Sequence, residues 1–149
     1  MSDSKKTPNS QRSTPKQGRG RAEALIASAR AARRYAHAPF SGFSVGAAIE
    51  TAEGEIVTGC NVENATYGLT VCAERVAIFK AVSDGHRRFT RIAIVTPPNA
   101  PTPPCGACRQ ILWELAGDIE VILANPRRET GRHQMSELLP WPFDERLLR

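Results

Sequence analysis

Apolar residues recur along this chain with two spacings, and the switches between them divide it into elements. From residue 21 onward, Ala24, Leu25, Ala29, Ala32 and Tyr35 fit one buried stripe of an Ala-rich helix, which Pro39 stops. Residues 43–51 then alternate, with Val45, Ala47 and Ile49 on one face. Ala52-Glu53-Gly54 makes a turn and residues 55–60 return, a β-hairpin pattern. A connector containing Gly and Asn, residues 61–70, leads into a second helix over residues 71–83, ended by Asp84-Gly85. Ile92, Ala93, Ile94 and Val95 form a short apolar run, the mark of a buried strand. A Pro-rich loop at 97–104 precedes a third helix over residues 106–115, stopped by Gly117, and residues 119–123 are a further apolar strand. Residues 135–148 read as a short strand or loop followed by a turn or helix. Strands alternating with helices predict an α/β fold: a three-layer α-β-α sandwich, with helices on both faces of a mixed sheet of about five strands.

Length and composition narrow the class. A chain of 149 residues has the size of one domain and buries a core without needing disulfides. Its 41% hydrophobic and 23% charged residues are those of an ordinary globular protein. No apolar run approaches the roughly 18 residues of a membrane span, so no membrane partner is expected. The opening Met-Ser-Asp-Ser-Lys-Lys is not followed by an apolar stretch, so no secretory signal is evident and a cytoplasmic location is expected. The net charge of +5 raises the question of a nucleic-acid partner. Five basic side chains (Lys5, Lys6, Arg12, Lys16 and Arg19) face only Asp3 within residues 1–20, which leaves the rest nearly neutral. A basic binding face is therefore not expected on the body, residues 21–149. Residues 1–20, poor in apolar side chains, are predicted to be a disordered basic tail; a solvated extension suits them better than a nucleic-acid arm.

The chemistry lies in the cysteines, at 60, 72, 105 and 108. In a reducing compartment such clustering favours metal binding or catalysis over disulfides. Cys105-Gly-Ala-Cys108 has the spacing that brings two sulfurs to one tetrahedral ion, and it opens a predicted helix, where unpaired N–H groups and the dipole favour thiolate. Cys72 opens another. Three thiolates from two helix N-termini leave a fourth position open, as in a catalytic zinc site, and Arg75 is placed to hydrogen-bond a thiolate. Cys60 is the candidate fourth ligand of a closed structural site; its other reading is a small buried hydrophobe. A redox Cys-x-x-Cys is the remaining alternative.

Glu74 stands two residues after Cys72, where a helical turn carries its carboxylate past the metal instead of onto it. There it can accept a proton from an activated water and pass protons to a substrate. Taken alone it would be an exposed helix charge.

Five stretches in order resemble the small, homotetrameric type of cytidine deaminase over roughly residues 21–149. They are Tyr35-Ala-His-Ala-Pro-Phe-Ser-Gly-Phe-Ser-Val-Gly-Ala-Ala48, Gly59-Cys-Asn-Val-Glu-Asn-Ala-Thr-Tyr67, Cys72-Ala-Glu-Arg75, Pro104-Cys-Gly-Ala-Cys-Arg-Gln110 and Glu137-Leu-Leu-Pro140. The resemblance implies one zinc per subunit on Cys72, Cys105 and Cys108, Glu74 as proton carrier, and hydrolysis of cytidine and 2′-deoxycytidine to the uridines in pyrimidine salvage. It implies that Asn61 and Glu63 hold the sugar, that Phe43 packs on the nucleoside, and that the backbone at Ala73 helps hold the base. Ala65, Tyr67 and Phe143 resemble residues that one subunit of a homotetramer lends to a neighbour's site; their plain alternative, like that of Phe43, is packing. Other zinc deaminases, of tRNA adenosine or nucleotides, usually present His as first ligand, and the blasticidin type lacks the Asn61-Val-Glu63-Asn64 pattern.

Overall fold

In the computed structural model, residues 15–99 and 102–149 are described. The elements run α1 (Pro15–Arg33), β1 (Gly46–Thr51), β2 (Ile56–Cys60), α2 (Ala73–Ser83), β3 (Phe89–Val95), α3 (Gly106–Ala116), β4 (Glu120–Ala124), β5 (Glu129–Gln134) and α4 (Met135–Leu138), with short 3₁₀ turns at Tyr67–Leu69 and Glu145–Leu148. The five strands form one sheet in the order β2-β1-β3-β4-β5. The β3–β4 pair is parallel and the other pairs are antiparallel, so the sheet is mixed.

Period-two alternation in the central strands sorts the core into two layers. Ala47, Ile49, Ile92, Ile94, Val121 and Leu123 point to one face, where Ala73, Ala77 and Ile78 of α2 and Leu112 of α3 cover them. Ala48, Ala93, Val95, Ile122 and Ala124 point to the other, under Ala22, Leu25, Ile26 and Ala29 of α1. The expected three-layer α-β-α sandwich is the observed one.

Three expectations need correction. Helix α1 begins at Pro15, inside the segment read as tail; Pro suits a first helical position because the N–H it lacks has no helical partner there. The expected disorder of residues 1–14 lies outside the described residues. The buried stripe of α1 is Ala22, Leu25, Ile26 and Ala29, not the stripe through Ala24 and Tyr35; Ala24 faces solvent, and Tyr35 lies past the helix end and is 77% exposed. Small side chains at 22 and 29 let the helix lie close on the sheet. Strand β5 was not anticipated, because Glu-Thr-Gly-Arg-His-Gln carries no apolar alternation. It is an edge strand joined to β4 by its backbone and by Arg132, whose Nη1 lies 3.0 Å from Glu120 Oε1 across the pair.

Two glycines set how closely helices sit on strands. A Cβ on Gly46 would stand 2.0 Å from the Ala29 carbonyl oxygen, and one on Gly59 would stand 2.5 Å from Ala77 N and 2.6 Å from Ala73 O. The backbone of α2 therefore rests directly on β2, which fixes the height of its first turn. Gly59→Ala is expected to destabilise by about 1–3 kcal/mol, since helix backbone must move to admit the methyl. Gly20→Ala, in an exposed turn of α1 with nothing within 4 Å, is expected to be neutral or to stabilise by up to about 1 kcal/mol. Urea unfolding of the two variants beside wild type checks both, and equal midpoints would contradict the close-packing argument.

Candidate active site

Connectivity brings two helix starts together. Helix α2 hands over to β3 through the short turn 84–88, so its C-terminus lies at the start of β3 and its N-terminus at the finish. Helix α3 begins just beyond the finish of β3 and returns to β4, parallel to β3. Both N-termini thus meet at the carboxyl end of β3, the edge where open α/β sheets bind ligands.

The residues at those two starts are cysteines. Cys72 caps α2 and Cys105 caps α3, both extended, and neither side chain is turned back to cap its own helix. Their carbonyls accept the first helical bonds, from Val76 N (3.1 Å) and Arg109 N (3.0 Å), while the first-turn N–H groups point toward the shared site. Cys108, fully buried one turn into α3, completes the group. The three sulfurs all lie within 4.8 Å of one another, with Cys72 Sγ 3.9 Å from Cys105 Sγ. Sulfurs at a zinc–sulfur distance of 2.3 Å and tetrahedral angles stand about 3.8 Å apart, so the spacing fits that ion. Cys60 is not part of the group; it ends β2 on the side between α1 and α2. All four cysteines are free of disulfides, and Cys60, outside the sulfur group, is not placed to close a four-cysteine centre.

Electrostatics favour negative charge at Cys72. Hydrogen bonding from the Cys108 thiol, and then from Arg75 Nη2 at 3.5 Å, pulls the Cys72 thiol down to about 5. Cys108 moves the opposite way, because its proton is held between itself and Cys72 and because it is buried. Arg75 also donates to Thr70 O at 3.2 Å, which fastens it across the loop before α2.

Glu74, in the first turn of α2, is 6% exposed, and burial lifts its carboxyl to about 7. It lines a cleft of about 320 Å³ together with Cys72, Cys105, Phe43, Asn61 and Glu63. That volume is at the small end of the range for ligand sites. Ala73 also lines the cleft. Ala65, Tyr67 and Phe143 do not; Tyr67 and Phe143 are 78% and 56% exposed. Asn61 is used by the scaffold: its Oδ1 accepts from Val45 N at 2.8 Å and its Nδ2 donates to Phe43 O at 2.8 Å, which holds the Phe43 loop against the connector after β2.

Residues not singled out from the sequence also line the cleft, among them Ser41, Thr96 and Pro103. Ser41 sits in a Pro-x-Ser-Gly turn, where such residues ordinarily signal only a change of direction, and Thr96 closes an apolar strand. Arg109 was missed as well. Its Nε donates to Pro104 O (2.8 Å) and its Nη1 to Leu138 O (2.7 Å), so one guanidinium ties the residue before Cys105 to the end of α4. Gln110 Nε2 donates to Phe143 O at 2.6 Å, and Asp144 accepts from Trp113 Nε1 at 3.0 Å; these bonds anchor the C-terminal segment on α3.

Cys105→Ala is expected to drop bound zinc from about one per chain to near zero and to lower the melting temperature, because metal binding and folding are coupled. Cys60→Ala is expected to keep its zinc. Elemental analysis checks both, and wild-type zinc in Cys105→Ala would remove this site.

The chain has clear relatives. Residues 20–124 match the family described as the cytidine and deoxycytidylate deaminase zinc-binding region. A cytidine deaminase from Halalkalibacterium halodurans is 48% identical over 120 residues, covering 80% of this chain and 91% of that protein. One from Sporosarcina psychrophila is 45% identical over 124 residues, covering 83% and 91%. The crystal structure of cytidine deaminase from Burkholderia pseudomallei superimposes with a TM-score of 0.78 at 48% identity, over 81% of this chain and 98% of that one. Cys72, Cys105 and Cys108 form a group that could hold the zinc named in the family description. The chain belongs to the cytidine deaminase family of hydrolases.

Proposed function

We propose that the protein hydrolyses cytidine and 2′-deoxycytidine to uridine and 2′-deoxyuridine, consuming one water and releasing one ammonia, in a zinc-dependent reaction of pyrimidine salvage. The observation that carries this reading is a group of three cysteine sulfurs, two of them (Cys72 and Cys105) lining the same cleft of nucleoside-compatible size as a buried carboxyl, Glu74.

Zinc, when bound, supplies the Lewis acidity that brings water to nucleophilic strength near neutral pH. The chain's own residues place the ring and move protons. Glu74 takes the first proton as water attacks C4 of the cytosine ring and delivers it to N3, then takes the second from the C4 hydroxyl and gives it to the amine, which leaves as ammonia while C4 keeps a carbonyl oxygen. Its burial suits it to both halves of that cycle, because a carboxyl shielded from bulk water exchanges protons with its substrate. The backbone at Ala73 and Cys105 holds the base, and Phe43 packs on the nucleoside. Glu63 accepts from the 3′-hydroxyl, and Asn61, with one amide hydrogen committed to Phe43 O, offers its second to the sugar. Arg75 keeps Cys72 charged and oriented.

The protein acts as a homotetramer in the cytoplasm, with Ala65, Tyr67 and Phe143 lent to a neighbouring subunit's site. This reading is supported by what a single subunit leaves uncovered: Tyr67, Leu69, Trp141 and Phe143 are each more than half exposed, and β2 is an open sheet edge. Large aromatics left in solvent are the usual mark of a contact surface. Among the described residues no helix is long and apolar enough to cross a membrane. No nucleic-acid partner is proposed, since the net positive charge is concentrated before residue 21.

Glu74→Gln keeps its zinc and loses about 10²–10⁴-fold in turnover of cytidine, the range for loss of a general acid–base. The fall in ultraviolet absorbance as cytidine becomes uridine measures it. Unimpaired turnover by zinc-replete Glu74→Gln would take Glu74 out of the reaction, and an inert wild type with zinc bound would end the cytidine reading.

A further inference from the structure

The turn between α1 and β1 is bonded to Glu63 through two backbone amides and one small side chain. Ser41 Oγ donates to Glu63 Oε1 and itself accepts from Phe43 N at 3.0 Å. The other carboxylate oxygen, Oε2, accepts from Phe40 N at 2.9 Å and Ser41 N at 3.2 Å. These bonds, Ser41 Oγ first among them, hold the Glu63 carboxyl below its ordinary range. Gly42, at φ +66°, reverses the chain between Ser41 and Phe43 so that both face the cleft. On the far side, Glu63 N donates to His37 O at 2.8 Å, so the carboxylate is braced from its backbone as well.

The acceptor count is informative. A carboxylate offers about four lone-pair sites. Oε2 has two donors and Oε1 has one, so a single acceptor site remains, on Oε1, beside the Ser41 hydroxyl. The same hydroxyl fixes the Phe43 amide, three bonds from the ring that lines the other wall of the cleft.

We propose that Ser41 is a positioning residue for sugar recognition: its hydroxyl joins Glu63 to Phe43 and leaves Glu63 one aimed acceptor site, for one sugar hydroxyl. The inference rests on the nucleoside reading above and deepens it. Without Oγ, Oε1 loses its brace and Phe43 N loses its acceptor. The carboxylate, held by its two Oε2 bonds alone, is then less firmly aimed, and the strength of its bond to a 3′-hydroxyl falls.

The test compares Ser41→Ala, Ser41→Thr and wild type on cytidine and 3′-deoxycytidine, with amide hydrogen exchange over residues 40–44 of the ligand-free proteins. Ser41→Ala is expected to raise KM for cytidine about tenfold, the loss of one hydrogen bond to a charged group, with kcat within about twofold of wild type. The KM ratio of 3′-deoxycytidine to cytidine falls, exchange at Phe43 quickens, and Ser41→Thr, which keeps the oxygen, restores all three. An unchanged ratio with unchanged exchange overturns the proposal, as does a loss confined to kcat and melting temperature. If wild type leaves cytidine untouched, the nucleoside reading falls, and unchanged exchange in Ser41→Ala would still remove Ser41 from its positioning role.

Discussion

Three sulfurs a few ångströms apart can act together as thiolate ligands only where something opposes the repulsion of their charges. Here the opposition comes from the backbone: two helices begin at the same point, and the partial positive charge of their first-turn N–H groups converges there. Arg75 adds a full charge at Cys72. The rest of the fold serves this convergence. The parallel β3–β4 pair forces α3 to start at the carboxyl end of β3, and the short turn after α2 forces that helix to start there too. Gly59 then lets α2 lie directly on β2, so Cys72 and Glu74 arrive at one height relative to Cys105.

A second constraint acts on Glu74. A carboxyl at the first turn of a helix is ordinarily favoured as the anion, yet this one is buried, and burial outweighs the dipole. It is held in place because it lies in the first turn of the helix that Cys72 caps, so neither can move without the other. The cleft's opposite wall is built differently, from loops. Asn61 and Ser41, two side chains that bond backbone amides, turn the connector after β2 and the turn before β1 into a rigid pair of ledges. Rigid helices therefore hold the groups proposed to react, and braced loops hold those proposed to select the sugar.

Much of this was legible in the residues because helices and strands with strong periodicity leave their pattern in the sequence. The four apolar strands and the helices carrying Cys72 and Cys105 were placed to within about three residues, since apolar alternation and Gly or Pro stops coincide there. The Cys105-x-x-Cys108 spacing pointed to a metal group because ligand geometry constrains spacing directly, and Glu74 stood out by its place two residues after Cys72. What escaped had no such pattern. Strand β5 pairs through backbone atoms and polar side chains, so nothing in Glu-Thr-Gly-Arg-His-Gln distinguishes it from a loop. The face of α1 was rotated because a helix with Ala at many positions offers several stripes, and only contact with Ala48 and Ala93 chooses among them. Ser41 and Arg109 act through hydrogen bonds to partners many residues away, 22 and 29 positions for the longest, which no local reading reveals.

The proposed centre has three sulfur ligands and one open position. X-ray absorption at the zinc edge of the zinc-loaded protein tests it most directly. The predicted result is three sulfur scatterers at about 2.3 Å and one oxygen or nitrogen at about 2.0–2.1 Å. Four sulfurs and no light atom would mean a closed structural centre, and would contradict the account.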